Sequence, residues 1–252
     1  MNNFAAYNLP GQKSLGQLVS PPILETPNGT IPLRYEIEQV PEDSDGQVAA
    51  TINRMSQYVC ADCQAGPILY DAQCAVILDP NDPLAGVHRF VRSRLRFVND
   101  EAITQPFDWM LPKGGGQDYF VECLTRPVDV SLQYAATRQP VEGDCDDYSM
   151  YTAALLRALG IDCAFATVAA NRENPEVYSH VYVATYWRGQ RIPMDCSHGQ
   201  QAGWEFAAPG SGYKYCEWPI YDRQSYGLVG IAIAAGLWFA WKNRKELGEF
   251  FS

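Results

Sequence analysis

Apolar positions along the chain recur with two periods, and the switches between them mark the predicted elements. Residues 31–40 alternate weakly and predict a strand, closed by the turn-rich Pro41-Glu-Asp-Ser-Asp-Gly46. Residues 47–64 place Met55, Val59 and Cys63 on one face, the spacing of an amphipathic helix, and 70–78 predict a shorter one. Asp79-Pro-Asn-Asp-Pro83 breaks the pattern. Helical periodicity returns over 86–98 at Val87, Phe90, Val91, Leu95 and Val98. Residues 102–118 hold Pro106, Pro112 and a run of glycines, which predicts a long loop rimming a cleft.

The second half of the chain is more regular. An Ala- and Leu-rich helix begins just after Gly143 and Asp144 and stops at Gly160, where a left-handed cap lets Ile161 pack back. Strands follow at 163–170, 179–187 and 191–196, the last two joined by a hairpin at Trp187-Arg-Gly-Gln190.

The two ends differ in composition. Residues 1–46, rich in Pro, Gly and Asn at the start, predict an extended arm, and the first residues lack the basic and apolar runs of a signal peptide. Residues 226–241 carry no charge, hold Tyr226, Trp238 and Trp241 near their ends, and precede a basic tail at 242–252. Sixteen residues of helix span about 24 Å, slightly short of a hydrocarbon core of about 30 Å. The aromatic and basic flanks favour a single C-terminal membrane anchor over a buried helix. Sidedness stays open, because Lys242, Arg244 and Lys245 favour a cytoplasmic tail while a domain without a signal peptide is expected to stay in the cytoplasm.

Charge excludes one class of partner. A net charge of -10 argues against nucleic acid, which needs clustered cations. The densest basic run, Arg89, Arg92, Arg94 and Arg96, has helical spacing and predicts a solvated helix face. The eight cysteines predict neither a disulfide framework nor a zinc site. Cys60 and Cys63, with Cys74 and His88 downstream, have metal-like spacing, but a CxxC inside a helix lacks the knuckle turn, so buried or idle thiols are expected. No metal or cofactor is implied.

One cysteine stands apart. Gly143 and Asp144 precede the strongest helix, so Cys145 falls in its first turn, where unpaired N–H groups and the helix dipole favour a thiolate. Those N–H groups also suit an oxyanion formed when sulfur attacks a carbonyl. Asp146 and Asp147 oppose the thiolate, so a cationic partner is needed, and His180 on the second strand is the expected base. If Thr185 faces Gln190 across a four-residue loop, His180 lies directly opposite Asp195. If Trp187 faces Arg191, it lies opposite His198. The first register makes a His–carboxylate pair and is the one expected.

Gly143-Asp-Cys-Asp-Asp147 with its Leu-Arg-Ala-Leu-Gly-Ile helix end, Ser179-His-Val-Tyr-Val183, and Pro193-Met-Asp-Cys-Ser197 together resemble the transglutaminase-like superfamily, most closely its bacterial and phage-encoded members. The likeness is strong over 120–205 and weaker upstream, around Phe90 to Asp100. Cys196 stands where the family commonly has Pro, and the aromatic that often follows the family histidine is displaced to Tyr182. The resemblance implies an α+β fold with a papain-like core, a nucleophile helix packed on an antiparallel sheet, within a domain spanning 47–222 that carries an N-terminal helical extension. It carries the catalytic roles onto Cys145, His180 and Asp195; Gln139 is a guess for the second oxyanion donor. The expected function is a cysteine peptidase or amidase acting on a protein or peptide. A glutamine-dependent cross-linking transglutaminase, and an inactive membrane-associated structural or virion assembly protein, stay open as alternatives.

Overall fold

A computed structural model of the chain describes residues 9–19, 24–26, 29–31, 34–41, 43–99 and 121–220. The loop predicted over 102–118, the apolar stretch 226–241 and the tail 242–252 lie outside the described residues, as does part of the arm. Strands β1 (Lys13–Val19), β2 (Leu24–Thr26), β3 (Gly29–Ile31) and β4 (Arg34–Gln39) precede three helices, α1 (Ser44–Asp62), α2 (Gly66–Leu78) and α3 (Pro83–Arg94). Then come β5 (Leu95–Phe97), β6 (Val121–Leu124), α4 (Pro127–Thr137), β7 (Val141–Gly143) and α5 (Cys145–Ala158). The described chain closes with β8 (Asp162–Val168), β9 (His180–Trp187), β10 (Gln190–Met194) and β11 (Tyr215–Pro219). No helix among the described residues is long and apolar enough to cross a membrane.

The predicted arm is therefore partly built into the fold, since β1 and β4 join β6 in an antiparallel sheet ordered β1-β4-β6. A second antiparallel sheet, ordered β10-β9-β8-β11, lies beside α5. Helix α5 is apolar almost all round, and every residue from Asp147 to Ala158 is buried. Helices α1 and α2 cover it on one side and the sheet on the other. It stops as expected: Gly160 takes φ +73°, and the Ile161 N–H returns to the Leu156 carbonyl at 2.9 Å.

Two boundaries depart from expectation for local reasons. The break at 79–83 holds the start of α3, because Asp82 caps the Ala85 N–H at 3.1 Å and Pro83 needs no N–H partner in the first turn. The same helix ends at Arg94, since Leu95–Phe97 pair in parallel with β7 as β5. The arginine run is consequently not one solvated face. Arg89 bridges Asp79, Arg94 stacks on Phe90 and Tyr134, and Arg96 reaches Glu142 from a strand. Arg92 donates to the carbonyls of Cys196 and Gly199.

The helical layer is tied by a buried polar group. Asp71 of α2 accepts from Ser131 of α4 at 2.6 Å and from the Tyr151 hydroxyl of α5 at 2.7 Å. Burial, then the Asp71 charge, holds Tyr151 far above its ordinary pKa, so it stays a neutral donor. Tyr151→Phe leaves the carboxylate one donor short and is expected to cost about 1–3 kcal/mol in urea unfolding, with no change in m.

Candidate active site

The site is organised by how α5 begins. Asp144 caps the helix, accepting from the Asp146 N–H at 2.9 Å, while Asp147 Oδ2 accepts from the Asp144 N–H at 3.2 Å. This reciprocal capping box is tied to the neighbouring chain by Asp147 Oδ1, which accepts from the Thr125 N–H at 2.6 Å. Gly143 is required next to it, because a Cβ there would sit 2.4 Å from Asp147 Oδ2. Cys145 is thus fixed as the first helical residue, half-buried and accessible. Its Sγ lies 3.7 Å from Asp146 Oδ1.

All eight cysteines are free thiols. Burial pushes both Cys163 and Cys196 up to about 12, which leaves them protonated at neutral pH. Cys60, Cys63, Cys74 and His88 are not among the described groups whose ligand atoms converge.

His180 and Asp195 meet, though by a different register from either one expected. The β9–β10 loop has two residues, Arg188 and Gly189, with φ +53° and +76°, and Trp187 pairs with Gln190. Two positive φ values suit the tight turn whose twist matches the strands, and this outcompetes the four-residue loop. Asp195, one residue beyond β10, is then diagonal to His180 on the same face rather than opposite it. Their side chains still join, His180 Nε2 to Asp195 Oδ2 at 2.8 Å, with His180 8% exposed and Asp195 fully buried.

The turn after β10 brings in His198 as well. Asp195 Oδ1 accepts from the Ser197 hydroxyl at 2.9 Å and the His198 N–H at 3.0 Å, and the His198 ring stands edge-on to His180 with centroids 4.8 Å apart. Burial raises the Asp195 carboxyl, but the hydrogen bond and charge of His180, with the His198 and Ser197 donors, outweigh it and hold Asp195 below the usual carboxylate range. Both alternatives adjoin His180, Asp195 through a hydrogen bond and His198 through a ring contact. Ser197 and Arg92 escaped the sequence reading because their roles are hydrogen bonds across a turn and between distant segments, which leave no periodic signature.

Cys145 and His180 line one cavity of about 190 Å³. Its walls include Asp144 and Asp146 beside the thiol, Ser179 and Val181 beside His180, and Glu122 from β6. The facing wall is α1, with Gln47, Val48, Thr51 and Ile52 on successive turns. Gln139 is not brought there. It is exposed beyond α4, its N–H bonded to the Thr137 hydroxyl at 3.1 Å, and the length of β7 separates it from Cys145.

Electrostatically the thiol side is acidic. Burial, then the charges of Asp144, Glu122 and Asp147, drives Asp146 well above the usual range, against the pull of its hydrogen bond to Cys145. Among the described residues, two groups offer converging ligand atoms within 4.8 Å, His180–Asp195–His198 and Asp144–Cys145–Asp146. Either could take a divalent metal only by displacing hydrogen bonds already made, the Asp195 set in one case and the Asp144 cap in the other.

Against this geometry the comparisons with known proteins fall into place. Residues 90–204 match the sequence model of the transglutaminase-like superfamily. Cys145, His180 and Asp195 all fall inside the match, whereas α1 and α2 fall outside it. No curated protein gives a significant match. A crystal structure of "a Putative Cysteine Protease from Cytophaga hutchinsonii" is similar at 15% identity over 76% of this chain and 68% of that one, with a TM-score of 0.35. That score is below the level of a shared overall fold.

Behind Asp195, His88 of α3 is 1% exposed and its Nε2 has no partner. Burial, then the Arg92 charge, lowers its pKa from 6.5, against hydrogen bonding to the backbone of Asp195 and Gly199. A histidine that stays neutral in the fold lets the unfolded chain take up the proton first, so stability is full above about pH 6.5 and falls as pH drops below it. Thermal unfolding between pH 7 and 5 is expected to show this loss, with a shallower slope in His88→Asn; equal slopes would exclude His88 as its source.

Proposed function

We propose that the protein is a transglutaminase-like thiol hydrolase, a cysteine peptidase or amidase that cleaves amides in peptides or proteins through Cys145, His180 and Asp195. The observation that carries this reading is the 2.8 Å His180–Asp195 hydrogen bond in a cavity shared with a cysteine at a helix N-terminus. Asp195, held ionised, accepts from His180 Nε2–H and so leaves Nδ1 to take the thiol proton. The Cys145 sulfur then attacks the amide carbonyl, and the helix N-terminus stabilises first the thiolate and then the oxyanion. His180 returns its proton to the departing amine, leaving a thioester on Cys145. Water, deprotonated by the same imidazole, releases the acid and restores the thiol.

Gln47 supplies the only side-chain amide among the described residues of the cavity wall, and we assign it, rather than Gln139, as the side-chain donor to the oxyanion. Residues 226–241 are assigned to membrane attachment on their composition alone. The full chain is then expected in the membrane fraction and a chain ending at residue 222 in the supernatant.

The activity is tested with a fluorogenic peptide library. Hydrolysis is expected, abolished in Cys145→Ala, reduced about 10³- to 10⁴-fold in His180→Ala or Asp195→Asn, and reduced about 10²-fold in Gln47→Ala. Incorporation of a labelled primary amine in place of hydrolysis would replace this reading with a cross-linking transferase. Absence of both reactions would favour a structural protein that keeps the fold without the chemistry.

A further inference from the structure

His198 adjoins the catalytic pair, yet amide cleavage through Cys145, His180 and Asp195 gives its side chain nothing to do. It is exposed, and an exposed side chain ordinarily turns among several rotamers. This one is held on three sides. Its Nδ1 lies 2.9 Å from Ser197 Oγ, and its ring packs edge-on against two others. These are Phe97 of β5 and His180 of β9, with centroids 5.1 and 4.8 Å away.

The hydrogen-bonding protons decide which nitrogen of His198 is protonated. Asp195 is held below the usual carboxylate range, so at neutral pH its Oδ1 can only accept. The single Ser197 hydroxyl proton therefore goes to Oδ1, 2.9 Å away. Turned to His198 instead, it would leave two acceptor oxygens facing each other at that distance. Ser197 Oγ is then the acceptor toward His198, and Nδ1 carries the proton. Burial and then the charge of His180 lower the His198 pKa from 6.5, with Arg92 of α3 acting the same way and Asp195 against them. The ring is neutral at neutral pH, with Nδ1–H as its one donor.

We propose that His198 is a positioning residue of the thiol centre, whose Nδ1–H commits the Ser197 hydroxyl to Asp195 and whose ring walls one side of His180. This role rests on the thiol hydrolase function proposed above. Oδ1 of Asp195 takes the Ser197 hydroxyl and the His198 backbone N–H, which leaves Oδ2 to the Nε2–H of His180. His180 thereby keeps Nδ1 unprotonated for the Cys145 thiol. The edge contact opposes rotation of the imidazole out of that orientation. The two halves of the role are separable. Phenylalanine at 198 keeps the ring and loses the donor, whereas asparagine, whose amide nitrogen falls where Nδ1 does, keeps the donor and loses the ring. Every substitution keeps the backbone N–H.

The test combines a spectrum with kinetics. The full chain is labelled with ¹⁵N in its three histidines, and each ring is assigned by single substitution. Spectra at neutral pH are expected to show His198 as the Nδ1–H tautomer and His180 as Nε2–H. His198→Ala removes donor and ring from an exposed position. It is expected to speed exchange of the His180 Nε2 proton with water at least about threefold. For a peptide that the unmodified chain cleaves, kcat is expected to fall about tenfold in His198→Ala, with KM within about twofold. His198→Phe and His198→Asn are expected to lie between the two. An Nε2–H tautomer at His198, an unchanged exchange rate in His198→Ala, or a KM that rises as far as kcat falls would overturn the role. With no peptide cleaved by the unmodified chain the thiol hydrolase fails, while the tautomer and the exchange rate still decide whether His198 positions His180.

Discussion

The capping box at the start of α5 is the constraint on which the rest of the site depends. A reactive cysteine must be accessible, but a helix N-terminus that stabilises its thiolate has orphan N–H groups that need partners. Here Asp144 and Asp147 supply those partners from the backbone side, and Asp147 is itself anchored by the Thr125 N–H. Everything from Asp147 onward is buried, so the helix is locked in place between α1, α2 and the four-stranded sheet. The sulfur is left at the first turn of that helix, which lines a cavity. A Cβ on Gly143 would displace Asp147, which explains why the residue two before the cysteine is a glycine.

The acids that build the cap also burden the thiol. Asp146 lies against the sulfur, and Asp144 and Glu122 add negative charge nearby. On the neighbouring strand pair a buried Asp195, held below the usual carboxylate range, hydrogen-bonds His180. Asp195 is in turn held by Ser197 and the His198 backbone, and Arg92 grips the same turn through the carbonyls of Cys196 and Gly199. The carboxylate that partners His180 is thus held by hydrogen bonds converging on it.

Much of this was legible in the sequence, and the limits are physical. The nucleophile helix, its glycine cap and the place of Cys145 in its first turn follow from periodicity and local turn chemistry, which act over a few residues. The hairpin register did not follow, because a two-residue turn with Arg188 in a left-handed conformation wins through strand twist rather than through residue preference. Asp195 reaches His180 all the same, since a diagonal neighbour on one face is nearly as accessible as a direct one. Strands β6, β7 and β11 and helix α4 are short or weakly periodic and depend on partners far away in the chain. The α1 wall of the cavity, with Gln47 and Thr51, was invisible for the same reason: the helix was readable, but not what it faces.

The account turns on whether Cys145 is an activated thiol, and this is measured directly by the pH dependence of its alkylation. Mass spectrometry after pulses of iodoacetamide follows Cys145 alone among the eight cysteines, in the full chain and in His180→Ala. The account predicts an ionisation near neutral pH or below that moves toward about 8.5 when the imidazole is removed. An ordinary titration near 8.5 in the unmodified chain, unchanged in His180→Ala, would contradict it.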